Sequence, residues 1–239
     1  MKSPKTKLAL LIAISAGIIA WSPPAGENFI VGTGNTVTIL PETTGVIGKT
    51  NNVTARSSLV VGESNLVTPG QSPYTTSSIV AGTGNVLTGS NTRNLVSGET
   101  NSVRASNTLV AGTTNTVRGT TTTTATAHSA AIGVNNLVAS QTGWAMGSSN
   151  EVTGLYGSAV GCSNVVSSSY GCALGGGLKV TEGGATAVGS WNAPMATGDI
   201  FVVGTGNPTT PATSLRVTIN GGVILGRAQG DISMGAYAN

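Results

Sequence analysis

Residues 144–164 read WAMGSSNEVTGLYGSAVGCSN, and their spacing decides the fold. Gly147 and Gly161 mark two successive copies of one unit, and each is followed three positions later by an asparagine, Asn150 and Asn164. Outward in both directions the same unit recurs, centred on Gly32, Gly48, Gly62, Gly82, Gly98, Gly112, Gly133, Gly147, Gly161, Gly175, Gly189 and Gly204. The step from Gly147 to Gly161 is both the commonest and the shortest, and the longer steps fall chiefly in the first half of the chain. Asn35, Asn51, Asn65, Asn85, Asn101, Asn115, Asn136, Asn150, Asn164, Asn192 and Asn207 keep the place three after the glycine, and only Leu178 breaks the rule.

A unit as short as the one from Gly147 to Val160 cannot hold a strand, a helix and two loops. It accommodates two strands of about four or five residues joined by two tight turns. Glycine supplies the backbone angles of a sharp corner, and asparagine both tolerates the left-handed region and hydrogen-bonds to nearby backbone. Stacked coils then align the asparagine side chains in ladders. The pattern predicts an all-β chain, a parallel β-roll of about twelve coils forming a rod about 55 to 60 Å long at about 4.8 Å per stacked strand.

The residue two before each glycine is Ile30, Val46, Val60, Val80, Val96, Val110, Ala131, Ala145, Ala159, Ala173, Ala187 or Val202, never a polar one. Its neighbours point to the opposite face of the strand, yet they too are often apolar, as in Leu59 with Val61, Trp144 with Met146 and Phe201 with Val203. A strand apolar front and back is expected to be covered on both sides. Within one thin coil the chain's own return strand covers only one side. The expected cover for the other is a second copy, so the chain is read as an oligomer; a monomeric solenoid wrapped on one side by loops is the alternative.

Composition removes several function classes. The formal net charge is +3, but with Lys2, Lys5 and Lys7 set aside the body carries eight basic and eight acidic residues. A neutral body with nine aromatic residues lacks the basic field and the stacking platforms that nucleic-acid binding uses. No nucleic acid is therefore expected as a partner. Catalysis is not expected either, since one histidine and eight acids are spread thinly over the repeats and form no paired carboxylates and no Ser/His/Asp constellation. His128 has no companions at metal-ligand spacing. Gly175-Gly176-Gly177 lacks the Lys-Ser/Thr pair and the helix of a phosphate loop. No cofactor or metal is expected, and Cys162 and Cys172 sit at different offsets from their glycines, so no disulfide is predicted.

The chain divides into three parts. Residues 1–25 read as an export signal or a retained hydrophobic segment, with Lys2, Lys5 and Lys7 preceding the apolar run from Leu8 to Trp21. Residues 26–198 are the repeats, and residues 199–239 hold a last coil and a C-terminal β cap. In that cap Leu215 to Ile219 and Val223 to Leu225 flank Asn220-Gly221, which reads as a β-hairpin. Such a cap meets the need of a solenoid to block its open edge.

The kernels Ser158-Ala159-Val160-Gly161 and Ser129-Ala130-Ala131-Ile132-Gly133 resemble the head repeats of trimeric autotransporter adhesins of the YadA type, with valine substituted in the first half, as in Ser58-Leu59-Val60-Val61-Gly62. The resemblance spans about residues 28 to 207. It implies a left-handed parallel β-roll, three chains around one axis and a surface or fibre location. No heptad stalk, neck motif or set of four long amphipathic strands accompanies it. The C-terminal segment is instead similar to the ends of β-roll shafts in phage tail fibres and some secreted fibres.

Extra residues interrupt the coils at Thr38 to Thr44, at Thr68 to Thr76 with Pro73 and Tyr74, and at Arg118 to His128 with Thr121 and Thr122. Loops on a rigid scaffold are where recognition usually sits, although neutral solvated bulges also cost little. The functional expectation is a secreted or cell-surface fibre subunit whose partners are copies of itself, joined as a homotrimer, with end-to-end filament formation left open, and a cell-surface or matrix ligand. The alternative is the shaft of a phage receptor-binding fibre, against which the export signal argues.

Overall fold

Each repeat contributes one strand to a first sheet and one to a second, because two corners fold the halves of the coil back on each other. The computed structural model describes residues 28–38, 44–69, 77–89, 93–119 and 128–226. The first sheet begins at Phe29–Thr33 and proceeds coil by coil through strands such as Leu59–Glu63, Leu95–Glu99, Trp144–Ser148 and Ser158–Cys162 to Asp199–Thr205, every neighbour parallel. The second sheet holds the short strands that follow the asparagines, from Thr36–Val37 to Lys179–Val180. No helix occurs among the described residues. The chain is thus an all-β parallel solenoid.

It makes about 11 turns, one fewer than the twelve coils counted by glycine. The difference lies at the end, where Asp199–Thr205 is followed by no return strand in the second sheet. Instead Thr213–Thr218 pairs antiparallel with Asp199–Thr205, and Val223–Leu225 pairs antiparallel with Thr213–Thr218. The ion pair from Arg216 to the buried Asp199, at 2.8 Å, ties this extension to the last coil.

The core is two facing files of small side chains. One comes from the position two before each glycine, Val46 through Val110 and then Ala131 through Ala187, and the other from the second sheet, including Val53, Val103, Val117, Val152 and Val180, all essentially inaccessible to water. Ile30, expected in the first file, is exposed, because at the first strand the facing Val37 only partly covers it. Valine and alanine fill most of the space between sheets joined by turns this tight, and Leu87 is the larger member of the second file. Where the first file shrinks to alanine, glycine enters the second corner: a Cβ on Gly157 would lie 3.0 Å from the Val152 side chain.

The first corner holds the coils in register. Gly98 has φ +117, and a Cβ there would fall 1.9 Å from the carbonyl oxygen of Gly112 in the next coil. Only glycine permits that approach. The carbonyl of Gly112 accepts a hydrogen bond at 2.8 Å from Nδ2 of Asn101. Asn101 Oδ1 in turn accepts from both the backbone N–H and Nδ2 of Asn115, at 3.0 and 3.1 Å. The same pattern links every asparagine from Asn35 through Asn51, Asn65, Asn85, Asn101, Asn115, Asn136 and Asn150 to Asn164.

The ladder ends sooner than the sequence pattern. Leu178 offers only its backbone N–H to Asn164 Oδ1 and buries its side chain where the next amide would stand. Asn192 then turns to Lys179, accepting from its N–H at 2.7 Å and donating to its carbonyl at 3.0 Å. Its amide imitates a neighbouring strand for the last strand of the second sheet. Asn207 leaves the ladder altogether and closes a turn with Thr209 and Thr210.

Asn101→Ala leaves the backbone N–H and one side-chain N–H of Asn115 buried without partners and takes from the Gly112 carbonyl its side-chain donor, while the ladder bond from Glu99 remains. At about 1–3 kcal/mol for each orphaned group, the expected loss is on the order of 3 kcal/mol, read as a lowered guanidinium midpoint. Gly98→Ala is expected to cost more, and Glu151→Ala, on an exposed strand position, to stay within about 0.5 kcal/mol.

Candidate functional site

Strand alternation that buries one file must turn its neighbours outward. On the first sheet this places Leu59, Ile79, Leu95, Leu109, Ala130 and Trp144 in one column, each beside the next. A second column, one residue before each glycine, includes Ile47, Met146, Val160 and Leu174. Leu59, Ile79, Leu95, Leu109 and Trp144 of the first column and Ile47, Met146, Val160 and Leu174 of the second are between 37% and 54% exposed, although the Val or Ala beside them in the chain is buried. Side chains of this kind are ordinary when scattered, but a contiguous column marks a surface built to meet something.

The edges of this face differ. At the strand starts lie Arg56, Arg93 and His128, and at the strand ends Lys49, Glu63 and Glu99. A hollow of about 600 Å³ opens along the start edge, floored by Ile79, Leu95 and Leu109, walled by Trp144 and rimmed by Arg93 and His128. Its form suits an amphipathic occupant with an acidic group at the rim.

Both corners hold a residue with positive φ: two after the glycine in the first, as at Thr50, Ser64, Asn135 and Trp191, and in the second at Ser57, Arg93, Asn107, Tyr156, Tyr170 and Gly184, a conformation in which bulky residues are uncommon. Tyr156 and Tyr170 stack with centroids 4.9 Å apart and planes at 14°, a contact worth about 0.5–1.5 kcal/mol that offsets the backbone cost. Sequence reading missed this pair, though the signal was there: the two tyrosines occupy the same place in successive repeats. It also missed the Asp199–Arg216 pair, whose partners share no motif.

The glycines and asparagines singled out in the sequence, Gly32, Asn35, Gly62, Asn65, Gly112, Asn115, Gly147, Asn150, Gly161 and Asn164, all come together at the first corner. Pro73, Tyr74, Thr121 and Thr122 lie outside the described residues, as do residues 39–43 and the segment 1–25. The described ends of those insertions, Ser77 and His128, both border the hollow. Cys162 stands beside Gly176 and Cys172 beside Ser158 in adjacent strands, so the strand length separates them and both are free. Among the described residues no group of three His, Cys, Asp or Glu side chains is placed to hold a metal.

The chain matches no protein-family model, no curated protein and no solved structure. The likeness to YadA-type heads therefore stands on the repeat kernel and on the solenoid it forms.

The alternation makes a sharp demand on adjacent residues. Leu95→Asp, on the outward face, is expected to leave the fold intact, whereas Val96→Asp, one position along, buries an unpaired carboxylate and abolishes folding. Circular dichroism and limited proteolysis of the two variants check this.

Proposed function

We propose that the chain is the subunit of an extracellular structural or adhesive fibre whose copies associate lengthwise through the outward face of the first sheet. The observation that carries this reading is the unbroken apolar column from Leu59 to Trp144 on a surface whose reverse side is fully buried. Water disfavours such a column by about 25 cal/mol for each Å² left open, and among the described residues no element lies over it. Three copies around one axis is the number that the resemblance to YadA-type heads supplies.

Association through this face leaves the second sheet and the corners outermost. Their surface is mixed and carries little charge, with Asn52, Ser102 and Thr116 in one column with Leu66, Val86, Leu137 and Val165. It makes many weak hydrogen-bonding contacts available, repeated along the rod and multiplied by the number of copies. Attachment to a cell surface or to matrix then depends on avidity rather than on one strong site. Residues 1–25, read as an export signal or retained hydrophobic segment, fit a secreted or cell-surface location.

Light scattering of the purified chain at micromolar concentration is expected to give the mass of three copies. Replacing Leu59, Leu95 and Leu109 together by lysine is expected to give single chains with the β-signal unchanged. A wild-type protein with the mass of one chain overturns the reading.

A further inference from the structure

Over the last regular coils the second corner repeats without insertion, and its positive-φ place is filled in turn by Tyr156, Tyr170, Gly184 and Gly198. Each of these turns closes with the same backbone bond, as from the N–H of Gly157 to the Gly154 carbonyl and from that of Asp199 to the Ala196 carbonyl, both at 3.0 Å. The N–H of Tyr170 donates to the Leu155 carbonyl at 2.7 Å and that of Gly184 to the Ser169 carbonyl at 2.9 Å, so successive places stand one above another. The rings of Tyr156 and Tyr170, 4.9 Å apart, are separated by one coil step of about 4.8 Å and stack along the rod. Tyr156 thus occupies one face of Tyr170, and the other face looks toward Gly184.

That level is empty. A Cβ on Gly184 would meet no atom within 4 Å. One level further the space closes, since a Cβ on Gly198 would lie 3.5 Å from Cγ2 of Ile219, whose N–H donates to the Gly198 carbonyl at 2.8 Å. The two walls, Tyr170 and Ile219, stand two coil steps apart, about 10 Å. Carbon contacts of about 3.5–4.0 Å on either side leave room for one ring between them, over a floor of Gly183-Gly184 backbone. Polar groups border this notch. Ser169 and Thr197, both exposed, immediately precede Tyr170 and Gly198. Glu182 Oε2 accepts from the N–H of Gly198 at 3.1 Å, which fixes the carboxylate beside the floor and leaves Oε1 as an acceptor. Among the described residues no cation pairs with Glu182, whereas Asp199 is paired with Arg216.

From this we infer that the notch binds one neutral hexopyranose ring of a cell-surface glycan, its C–H face on Tyr170 and its hydroxyls on Ser169, Glu182 and Thr197. That the sugar belongs to a cell surface rests on the adhesive reading above; the notch itself is complete within one copy. A sugar ring answers both walls and border, because its C–H face packs on a rigid aromatic side chain that loses little entropy and its edge meets the few placed polar groups that orient a ligand. A wholly apolar ring leaves that border unanswered. A sialic or uronic acid sets its carboxylate against Glu182, and like charges brought together at an interface oppose binding. The notch lies at the second corner, away from the column Leu59 to Trp144, so lengthwise association leaves it open and each added copy contributes one more site.

The test uses the full chain and a panel of maltotetraose, cellotetraose and mannose- and galactose-terminated oligosaccharides, with a sialylated and a uronic-acid oligosaccharide and a proline-rich peptide alongside. Saturation-transfer NMR to about 10 mM ligand is expected to show binding of at least one neutral member and none of the acidic ones. For that member Tyr170→Ala is expected to weaken binding about five- to tenfold. Gly184→Tyr continues the stack into the empty level and is expected to abolish binding with the β-signal unchanged, while Glu151→Ala binds as wild type. No neutral member bound, preference for an acidic member or for the peptide, or binding that survives Gly184→Tyr overturns the site. Light scattering of the same samples separates the two proposals: the mass of three copies without sugar binding overturns the notch alone, and a single chain that binds sugar overturns self-association alone.

Discussion

The structure depends on one contact, the hydrogen bond from an asparagine side chain to the carbonyl of the glycine in the next coil. It has two requirements. The glycine must lack a Cβ, since any side chain there would occupy the position of that carbonyl, and the asparagine must lie three residues after its own glycine so that its amide turns back along the rod axis. Both are met from Asn35 to Asn164. The ladder is directional, because each Oδ1 accepts from the following asparagine while each Nδ2 donates forward to glycine and back to Oδ1. Burial strengthens such chains of amides and makes any gap in them costly.

With one corner fixed, all variation moves to the other. Every interval before Gly133 that exceeds the basic repeat takes its extra length between a second-sheet strand and the next first-sheet strand. No residue is ever inserted between glycine and asparagine. A parallel solenoid closes its hydrogen bonds through strand register, so an insertion at the second corner leaves both ladders intact, and its entropic cost grows slowly with length. The outward columns are free in a different sense, since no backbone constraint acts on them. Their apolar character from Leu59 to Trp144 must have another cause, and a covering partner supplies one.

The parallel coil was legible in the sequence because its cause is local: a glycine and an asparagine three apart, repeated. The buried file was legible for the same reason, as the position two before the glycine from Val46 onward. What was not legible involved exchange of roles within an unchanged pattern. Asn192 fits the repeat as well as Asn164 does, yet it serves the edge at Lys179, because Leu178 has already broken the ladder beneath it. Ile30 likewise fits the buried file but lies at an end where it is poorly covered. A repeat unit specifies a coil between two coils and says less about the first and last. Of the candidate site, the two-faced apolar strand could be read directly, whereas the opposed edges required the corners to be placed in space.

The two ends bear on how rods could join. Parallel coils present the same backbone groups at every level, so an unmodified last coil would accept another copy's first coil as its continuation. The C-terminal end does not offer that template. Asn192 occupies the donor and acceptor of Lys179 on the second sheet, and the antiparallel strands Thr213–Thr218 and Val223–Leu225 cover the first. The buried Asp199 carboxylate accepts from Arg216 and from the N–H of Ala196, which fixes the reversal where the coil stops. Among the described residues, simple coil-on-coil extension is thereby blocked at this end, where Val223, Ile224 and Leu225 are exposed instead. A lateral association of copies and an end-to-end one would therefore rest on different chemistry, and one could change without the other.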